Sequence, residues 1–248
     1  MTGTRTSERT ADVVIRRLSA FRKISAEAAD RLEHLVRGRV IVAAPGQELS
    51  CEGDPADRIR IVLTGWMARY KALEDGRRQI VNFALPGDTC DALIYLLRRM
   101  DHSIVCLTPV TFAEIDREHF EIFIASDRTL AEAFWCETLS NAAIQREWTM
   151  NLGRRDAFER VAHLLCELIE RLRPVGLWDG HACAFPVTQL DLADATGLSV
   201  VHVNRTLQEL RSSGLIVLRD RMLTVNDLDA LKSAALFNPD YLHYVALE

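Results

Sequence analysis

The chain has 248 residues, of which 48% are hydrophobic and 26% are charged, and its formal net charge is −5. This composition is typical of one large or two ordinary globular domains, and it excludes an intrinsically disordered chain and a nucleic-acid binder of overall basic charge. No apolar run approaches the roughly 20 residues of a membrane span, and residues 1–14 lack a signal-peptide core, so a cytoplasmic protein with no membrane segment is expected.

The first half of the chain is punctuated by glycine between residues 38 and 124. Short β-rich runs lie between the glycines, at 39–42, 59–63 and 79–83. The Asp75-Gly76 pair within LEDGRRQ (73–79) is typical of a hairpin turn, because glycine accepts positive φ. Short strands separated by regular turn signals predict a compact antiparallel sandwich or barrel.

From Asp127 the pattern becomes helical. Residues 127–152 contain neither proline nor glycine, and Asp127 is a candidate N-cap. Gly153 is expected to interrupt the helix. A second helix is predicted over 154–174, with an apolar stripe on one face and Pro174 as its stop.

The 127–152 helix is apolar on more than one side. Its large apolar residues are Leu130, Phe134, Trp135, Leu139, Ile144 and Trp148. A helix packed between its own β-domain and a second subunit needs two apolar faces, so a homodimer along this helix is predicted. Glu137, Asn141 and Gln145 interrupt the heptad pattern, and the register of the helix pair stays open.

A helix-turn-helix pattern follows the segment 175–186, which is expected to be a linker. Thr188 is a candidate N-cap with Asp191 three residues later, and Gly197 supplies the turn. Ser199 then caps a second helix whose core stripe is Val203, Leu207 and Leu210. At about 100° per residue, the opposite face carries Val201, Asn204, Arg205 and Gln208.

That outer face has the chemistry that reads base edges in a major groove. Arg205 can fork onto guanine, Asn204 and Gln208 can pair with adenine or phosphate, and Val201 suits a thymine methyl. The predicted phosphate contacts are Thr188, Gln189, Ser199 and His202, together with Arg219 and Arg221 on the tip of a following hairpin, 215–225.

Local charge and the order of elements decide between two interpretations of this segment. Between residues 199 and 221, four arginines stand against two acidic residues, so the patch is basic although the chain is acidic. The alternative without a binding role is a solvated amphipathic helix in an ordinary αα-hairpin. The small Ala193, the turn glycine, the capped second helix and the hairpin in sequence favour a winged helix-turn-helix.

The whole arrangement resembles the CRP/FNR family of bacterial transcription regulators over about residues 20–227. The resemblance lies in PGQELSCEGDPADRIRIVLTG (45–65), LPGD (85–88) and LSVVHVNRTLQELRSSGLI (198–216), with Arg205 at the base-reading arginine. It implies an α+β fold: an N-terminal cyclic-nucleotide-binding-like double-stranded β-helix (jelly roll) as sensor (1–126), a central dimerisation helix (127–152) and a winged helix-turn-helix domain (153–248). It also implies a symmetric dimer on a two-fold-related DNA site.

One departure from the family bears on a cyclic-nucleotide effector. The stretches that hold the ribose and cyclic phosphate in the family's cyclic-nucleotide binders correspond here to Cys90-Asp91-Ala92 and Asp101-His102-Ser103. His102 replaces the phosphate arginine beside an acidic residue, which argues against a cyclic nucleotide. Arg98 or Arg99 could supply the missing positive charge, so the candidate effector pocket is Asp91, Arg98, Arg99, His102 and Ser103, with the ligand unknown.

The cysteines bear on the other cofactors of the family. No cysteine precedes Cys51, so the iron–sulfur centre of the oxygen-sensing branch is not expected. The six cysteines form no C-x-x-C pair, and they are expected to be reduced, with no metal site.

These observations predict a DNA-binding transcription regulator whose partners are double-stranded DNA, a second copy of the chain, RNA polymerase and a small-molecule effector. The alternative is a nucleotide-binding module that controls a partner protein without binding DNA; such a docking helix would expose large apolar groups and need no wing. An enzyme is not expected, because the chain shows no P-loop, nucleophile elbow or metal-spaced His/Cys set, and no catalytic residues are proposed.

Overall fold

The structure, a computed structural model, describes residues 10–90, 92 and 96–245. Two helices, α1 (Asp12–Ser19) and α2 (Ala26–Arg37), precede the strands. The strands of the N-terminal half are β1 (Val40–Ala43), β2 (Glu48–Ser50), β3 (Arg58–Thr64), β4 (Met67–Ala72), β5 (Arg78–Ala84), β6 (Ser103–Cys106) and β7 (Val110–Asp116).

These strands form a roll of two antiparallel sheets, in the orders β1-β7-β3 and β2-β6-β4-β5. Alternating side chains on both sheets meet inside the roll: Ile61 from β3 and Met67 from β4 belong to one buried core. The antiparallel sandwich predicted from the glycine spacing is confirmed. The hairpin at Asp75-Gly76 is also present, with Gly76 at φ +85°.

The C-terminal half is helical around a small sheet. Its elements are α3 (Arg117–Ser126), α4 (Arg128–Arg154), α5 (Ala157–Leu172), β8 (Ala182–Ala184), α6 (Gln189–Thr196), α7 (Val200–Ser212), β9 (Val217–Arg219), β10 (Met222–Thr224) and α8 (Leu228–Ala234), followed by a 3-10 turn at Pro239–Leu242. The strand β8 corrects one expectation, because the segment 175–186 is not a plain linker. It pairs with β10 in the order β8-β10-β9.

The long helix α4 begins where the sequence predicts, with the Asp127 side chain accepting a hydrogen bond from the backbone N–H of Leu130. The expected break at Gly153 is wrong. Glycine in a helix costs only about 1 kcal/mol, which the helix tolerates. The chain leaves the helix at Arg155, whose backbone is extended, and Asp156 then forms a capping box with Glu159 at the start of α5.

Helix α4 turns a polar row toward the roll. The Glu137 carboxylate accepts hydrogen bonds from the backbone N–H and the hydroxyl of Thr89, both at 2.8 Å. Asn141 accepts from Asn82 at 3.2 Å, and Gln145 donates to the Val81 carbonyl. The residues that interrupt the heptad therefore hold the helix on its own β-domain, because spacings of four place them on one face. Burial, with Asp88 nearby, raises the pKa of Glu137 to about 7.

Helix α5 is buried all round from Val161 to Leu172, not on one face alone. The reason is that the C-terminal half packs on the outer side of the sheet that contains β4 and β5. Side chains of these strands that point away from the roll interior, such as Ala68 and Phe83, share a core with Leu165 and Ile169 of α5. Both faces of this sheet are therefore covered.

Four buried charges lie where the two halves meet, and we call Arg17, Asp88, Glu167 and Arg171 the ionic junction. Arg171 of α5 donates to Asp88 at 2.8 Å and to Glu167 at 3.3 Å, and Arg17 of α1 lies 2.8 Å from the other Asp88 oxygen. Burial acts to lower the pKa of Arg171, but the Asp88 and Glu167 carboxylates outweigh it and raise the pKa. The guanidinium therefore stays charged in the interior.

The C-terminal segment 238–245 closes over the junction. Tyr241 donates its hydroxyl proton to Glu167 at 2.9 Å, and the Tyr244 hydroxyl accepts from Arg17 at 2.7 Å. Ser140 of α4 donates to the Leu242 carbonyl at 2.9 Å. The segment thus joins α1 to the consecutive helices α4 and α5, which lie more than 100 residues further along the chain.

We predict that Arg171→Met lowers the free energy of unfolding by about 3–5 kcal/mol, because it leaves two buried carboxylates short of a cation. Urea denaturation followed by circular dichroism measures the change. The control is Arg173→Met, whose guanidinium is 48% exposed and pairs with Glu170, so its loss should cost about 0–1 kcal/mol. Equal effects of the two substitutions would contradict a stabilising junction.

Candidate nucleic-acid interface

The first helix of the helix-turn-helix, α6, begins as the sequence predicts. The Thr188 hydroxyl accepts from the Asp191 backbone N–H at 3.1 Å, and the Asp191 carboxylate accepts from the Thr188 backbone N–H at 3.0 Å. The reciprocal bonds form a capping box. Ala193 is buried in the core that also contains Val203 and Leu207 of α7, and a small side chain at this position allows the two helices to approach closely.

The turn between the two helices requires a left-handed residue. Gly197 has φ +65° and ends α6, and Ser199 then caps α7 by accepting from the His202 backbone N–H at 3.2 Å. Residues with a Cβ adopt this conformation only at a cost, so glycine sets the angle at which α7 leaves.

Helix α7 has one buried and one exposed face. Val203, Leu207 and Leu210 are almost fully buried, in agreement with the predicted core stripe. On the other side Val201 is 80% exposed, and Arg205 and Gln208 are also exposed. Asn204 is half-buried because its amide donates to the Gln189 side-chain oxygen at 3.1 Å. The structure thus brings the four predicted base-reading residues to one face, where their contacts with bases stay a prediction.

The predicted phosphate contacts surround this face. Thr188 and Ser199 are exposed at the N-termini of α6 and α7, and Gln189 and His202 are half-buried beside them. Arg219 and Arg221 flank the tip of the β9–β10 hairpin, where Asp220 and Arg221 both have positive φ. This tight turn leaves both arginine side chains exposed.

The β4–β5 hairpin of the N-terminal half contacts α6, which the sequence analysis did not predict. Arg78 lies 2.5 Å from the Asp194 carboxylate and 3.2 Å from that of Asp191, and Gln79 donates to the Ala195 carbonyl at 3.1 Å. Asp191 therefore serves both the helix cap and an ion pair. No local pattern shows such a contact, because its partners are more than 100 residues apart.

A cavity of about 670 Å³ lies between the roll and α4. Its polar lining comes from Arg69, Lys71, Asn82, Asp101, His102, Asn141 and Gln145, and Leu96 and Leu97 lie beside them. Of the predicted effector residues, His102 alone among those described lines it. Asp91 lies outside the described residues.

The other described effector candidates, Arg98, Arg99 and Ser103, do not line this cavity. Arg99 donates to the Gly53 carbonyl at 2.7 Å, the Ser103 hydroxyl accepts from the Glu52 backbone N–H at 3.0 Å, and Arg98 is exposed. The basic residues in the lining are instead Arg69 and Lys71. On β4, positions 69 and 71 lie on the same face as Met67, whose side chain points into the roll, because side chains alternate along a strand. Two basic residues at such inward positions are the sequence signal that could have identified them.

Metal-binding clusters and membrane-spanning helices are absent from the described ranges. No group of three or more His, Cys, Asp or Glu side chains is arranged there to hold a metal ion. None of the helices there combines the length and apolar character needed to cross a lipid bilayer.

Comparisons with known proteins agree with this geometry. Residues 159–234 match the Crp-like helix-turn-helix domain, and residues 40–127 match the cyclic nucleotide-binding domain. The chain is 32% identical to the nitrogen fixation regulation protein FixK of Rhizobium meliloti over 82% of this chain and 92% of that one. It is 27% identical to the transcriptional activator protein FnrL of Cereibacter sphaeroides, over 92% of each chain.

Among solved structures, FixK2 from Bradyrhizobium japonicum superposes with a TM-score of 0.70 at 26% identity, covering 79% of this chain and 96% of that one. A CRP/FNR family regulator from Thermus thermophilus superposes with a TM-score of 0.62 at 20% identity, covering 80% of this chain and 99% of that one, which supports the fold alone.

We predict that Gly197→Ala destabilises the helix-turn-helix. The left-handed backbone costs a residue with a Cβ about 1–2 kcal/mol, and the new methyl group would lie 3.1 Å from Leu152 Cδ2. Gly153→Ala is the matched control, since Gly153 is helical and a Cβ there would meet no atom within 4 Å beyond its chain neighbours and its own helical backbone, and it should stabilise by up to about 1 kcal/mol. Thermal unfolding distinguishes the two; a neutral Gly197→Ala would show that the turn tolerates a side chain.

Proposed function

The chain belongs to the CRP/FNR family of bacterial transcription regulators, and on that premise we propose how its residues read DNA, pair two copies and receive a signal. It is a DNA-binding regulator and not an enzyme, and regulators of this family generally act as dimers. Such a protein works where the chromosome and RNA polymerase are, so we place it in the cytoplasm with RNA polymerase as a partner.

The observation that carries the DNA-binding proposal is the outer face of α7. Arg205 and Gln208 are exposed, Asn204 lies one turn before Gln208 on the same face, and the wing arginines belong to the same module. Helix α7 enters the major groove, Arg205 forks onto guanine, and the N-termini of α6 and α7 hold phosphates. A surface for docking a protein partner would expose large apolar groups and have no wing, so the alternative of a module without DNA binding is not favoured.

We predict that Arg205→Ala weakens the preferred DNA site by about 1–3 kcal/mol and relaxes one base position in each half-site. The site would come from selection of bound sequences from random DNA, and affinities from titration at fixed salt. The control is Arg37→Ala, an exposed arginine on α2, which should alter neither affinity nor preference. An unchanged base profile in Arg205→Ala would contradict the proposed role.

The dimer proposal rests on the second face of α4. The polar row of Glu137, Asn141 and Gln145 faces the roll, so a separate stripe remains outside. It contains Trp135, which is 47% exposed, and Leu139, which is 64% exposed, with Ala142 one turn further along. Their spacing of four and three residues is that of a coiled-coil seam, so two copies pack along α4.

We predict that Trp135→Glu converts the dimer to a monomer, because it places a carboxylate in the apolar seam. Analytical ultracentrifugation measures the mass. Val42→Glu, at a strand residue that is 74% exposed, is the control and should remain dimeric. A monomeric wild-type protein would overturn the proposed seam.

For the effector we propose a small polar molecule in the 670 Å³ cavity. Asn82 supports this, because it lines the cavity and also accepts a hydrogen bond from Arg171 at 3.1 Å. A ligand that displaces the Asn82 amide acts directly on α5 of the DNA-binding half. One buried side chain, which is 1% exposed, thus contacts both the cavity and α5 of the DNA-binding half.

We predict that Asn82→Leu increases hydrogen exchange of the amides of α5 and α6, because Arg171 loses one of its partners in the roll. Gln145→Leu is the control, since Gln145 lines the same cavity and bonds the Val81 carbonyl, away from Arg171. Mass spectrometry of exchanged peptides measures both variants. Similar exchange in α5 for the two would contradict a route through Asn82.

A further inference from the structure

We infer that Gln189 determines which base Asn204 reads, by fixing the orientation of its amide and selecting adenine over guanine. The inference rests on the proposed DNA contacts of α6 and α7. It assigns Gln189 a positioning role in specificity in addition to its predicted phosphate contact.

The two residues meet because the helix-turn-helix packs them together. Gln189 is the first residue of α6, and Asn204 lies one turn into α7. The Asn204 Nδ2 atom donates to Gln189 Oε1 at 3.1 Å, and both side chains are half-buried. The buried contacts of Leu192 and Leu207 in the same core hold the helices at this separation.

The neighbouring acid does not compete for either amide. The Asp191 carboxylate accepts from Thr188 through one oxygen and faces Arg78 through the other. Its acceptor atoms are thus occupied at the start of α6. The hydrogen bond from Asn204 is the contact that the structure gives to Gln189 Oε1.

A DNA phosphate fixes the direction of this bond. Phosphate oxygens only accept hydrogen bonds, so Gln189 must present its NH₂ group to the backbone. Its carbonyl oxygen then faces inward, where it accepts from Asn204. The orientation seen in the structure is therefore the one that a phosphate contact requires.

The hydrogen bond to Gln189 limits which polar groups of Asn204 remain to contact a base. One of its N–H groups is committed to Gln189, so one N–H and the carbonyl oxygen remain. This donor–acceptor pair complements adenine, which presents the N7 acceptor and the N6 amino donor in the major groove. An Asn204 with both N–H groups free could instead donate to O6 and N7 of guanine, which are both acceptors.

Two substitutions of Gln189 separate its two roles. Gln189→Glu keeps an acceptor for Asn204 but repels phosphate, so it should weaken binding to all sequences while adenine stays preferred. Gln189→Met has a similar length and neither donor nor acceptor, so the preference for adenine over guanine should fall by about 5- to 150-fold, the equivalent of 1–3 kcal/mol.

The experiment titrates each variant with the selected half-site carrying each of the four bases at one position at a time. Asn204→Ala identifies the position that Asn204 reads, as the one whose preference it flattens. Gln47→Met is the control, because this exposed glutamine lies between β1 and β2 of the roll, outside the predicted DNA contacts, and should leave that position unchanged. Circular dichroism confirms that the variants are folded.

The outcomes separate the inference from the proposed function. Failure of the wild-type protein to bind duplex DNA, or an unchanged profile in Arg205→Ala, overturns the proposed function. If the wild type binds and Gln189→Met keeps its preference for adenine over guanine, the inference is wrong. It is also wrong if Gln189→Glu loses that preference as fully as Gln189→Met. The inference is supported if Gln189→Glu keeps the preference for adenine over guanine and Gln189→Met loses it.

Discussion

Buried charge holds the two halves of this regulator together. Asp88 follows β5 of the roll, and it binds Arg17 from the first helix and Arg171 from the DNA-binding half. A carboxylate removed from water is costly unless cations and hydrogen-bond donors surround it, so the interior position of Asp88 requires both arginines at once. The DNA-binding half is therefore packed against the roll, and the C-terminal segment covers the contact through Tyr241 and Tyr244.

The same packing places one residue of the cavity wall against the DNA-binding half. Asn82 belongs to the cavity wall and to the surroundings of Arg171, and the β4–β5 hairpin holds α6 through Arg78. Helix α4 separates two functions by its faces: Glu137 and its neighbours bind the roll, while Trp135 and Leu139 face outward.

Sequence reasoning succeeded where a local rule decides the structure. Thr188 and Ser199 cap the helices that follow them, and Gly197 takes the left-handed turn, since capping and positive φ depend on residues within a few positions. It did not locate the cavity. Ser103 belongs to a stretch that resembles a family motif, and Arg98 and Arg99 are nearby cations that could replace its missing arginine. Arg69 and Lys71 line the cavity instead, because strand pairing turns alternate β4 side chains inward.

The amino-acid sequence alone determined the class of fold, the family, the α7 face and the two-faced character of α4, because periodicity and capping are encoded within single elements. Only the tertiary structure decided what each face meets. Arg171 binds Asp88 across 83 residues, Arg78 reaches Asp194 across 116, and Arg17 reaches Tyr244 across 227. A charged residue in a sequence carries no mark of its distant partner, and burial forces that pairing only once the chain has folded.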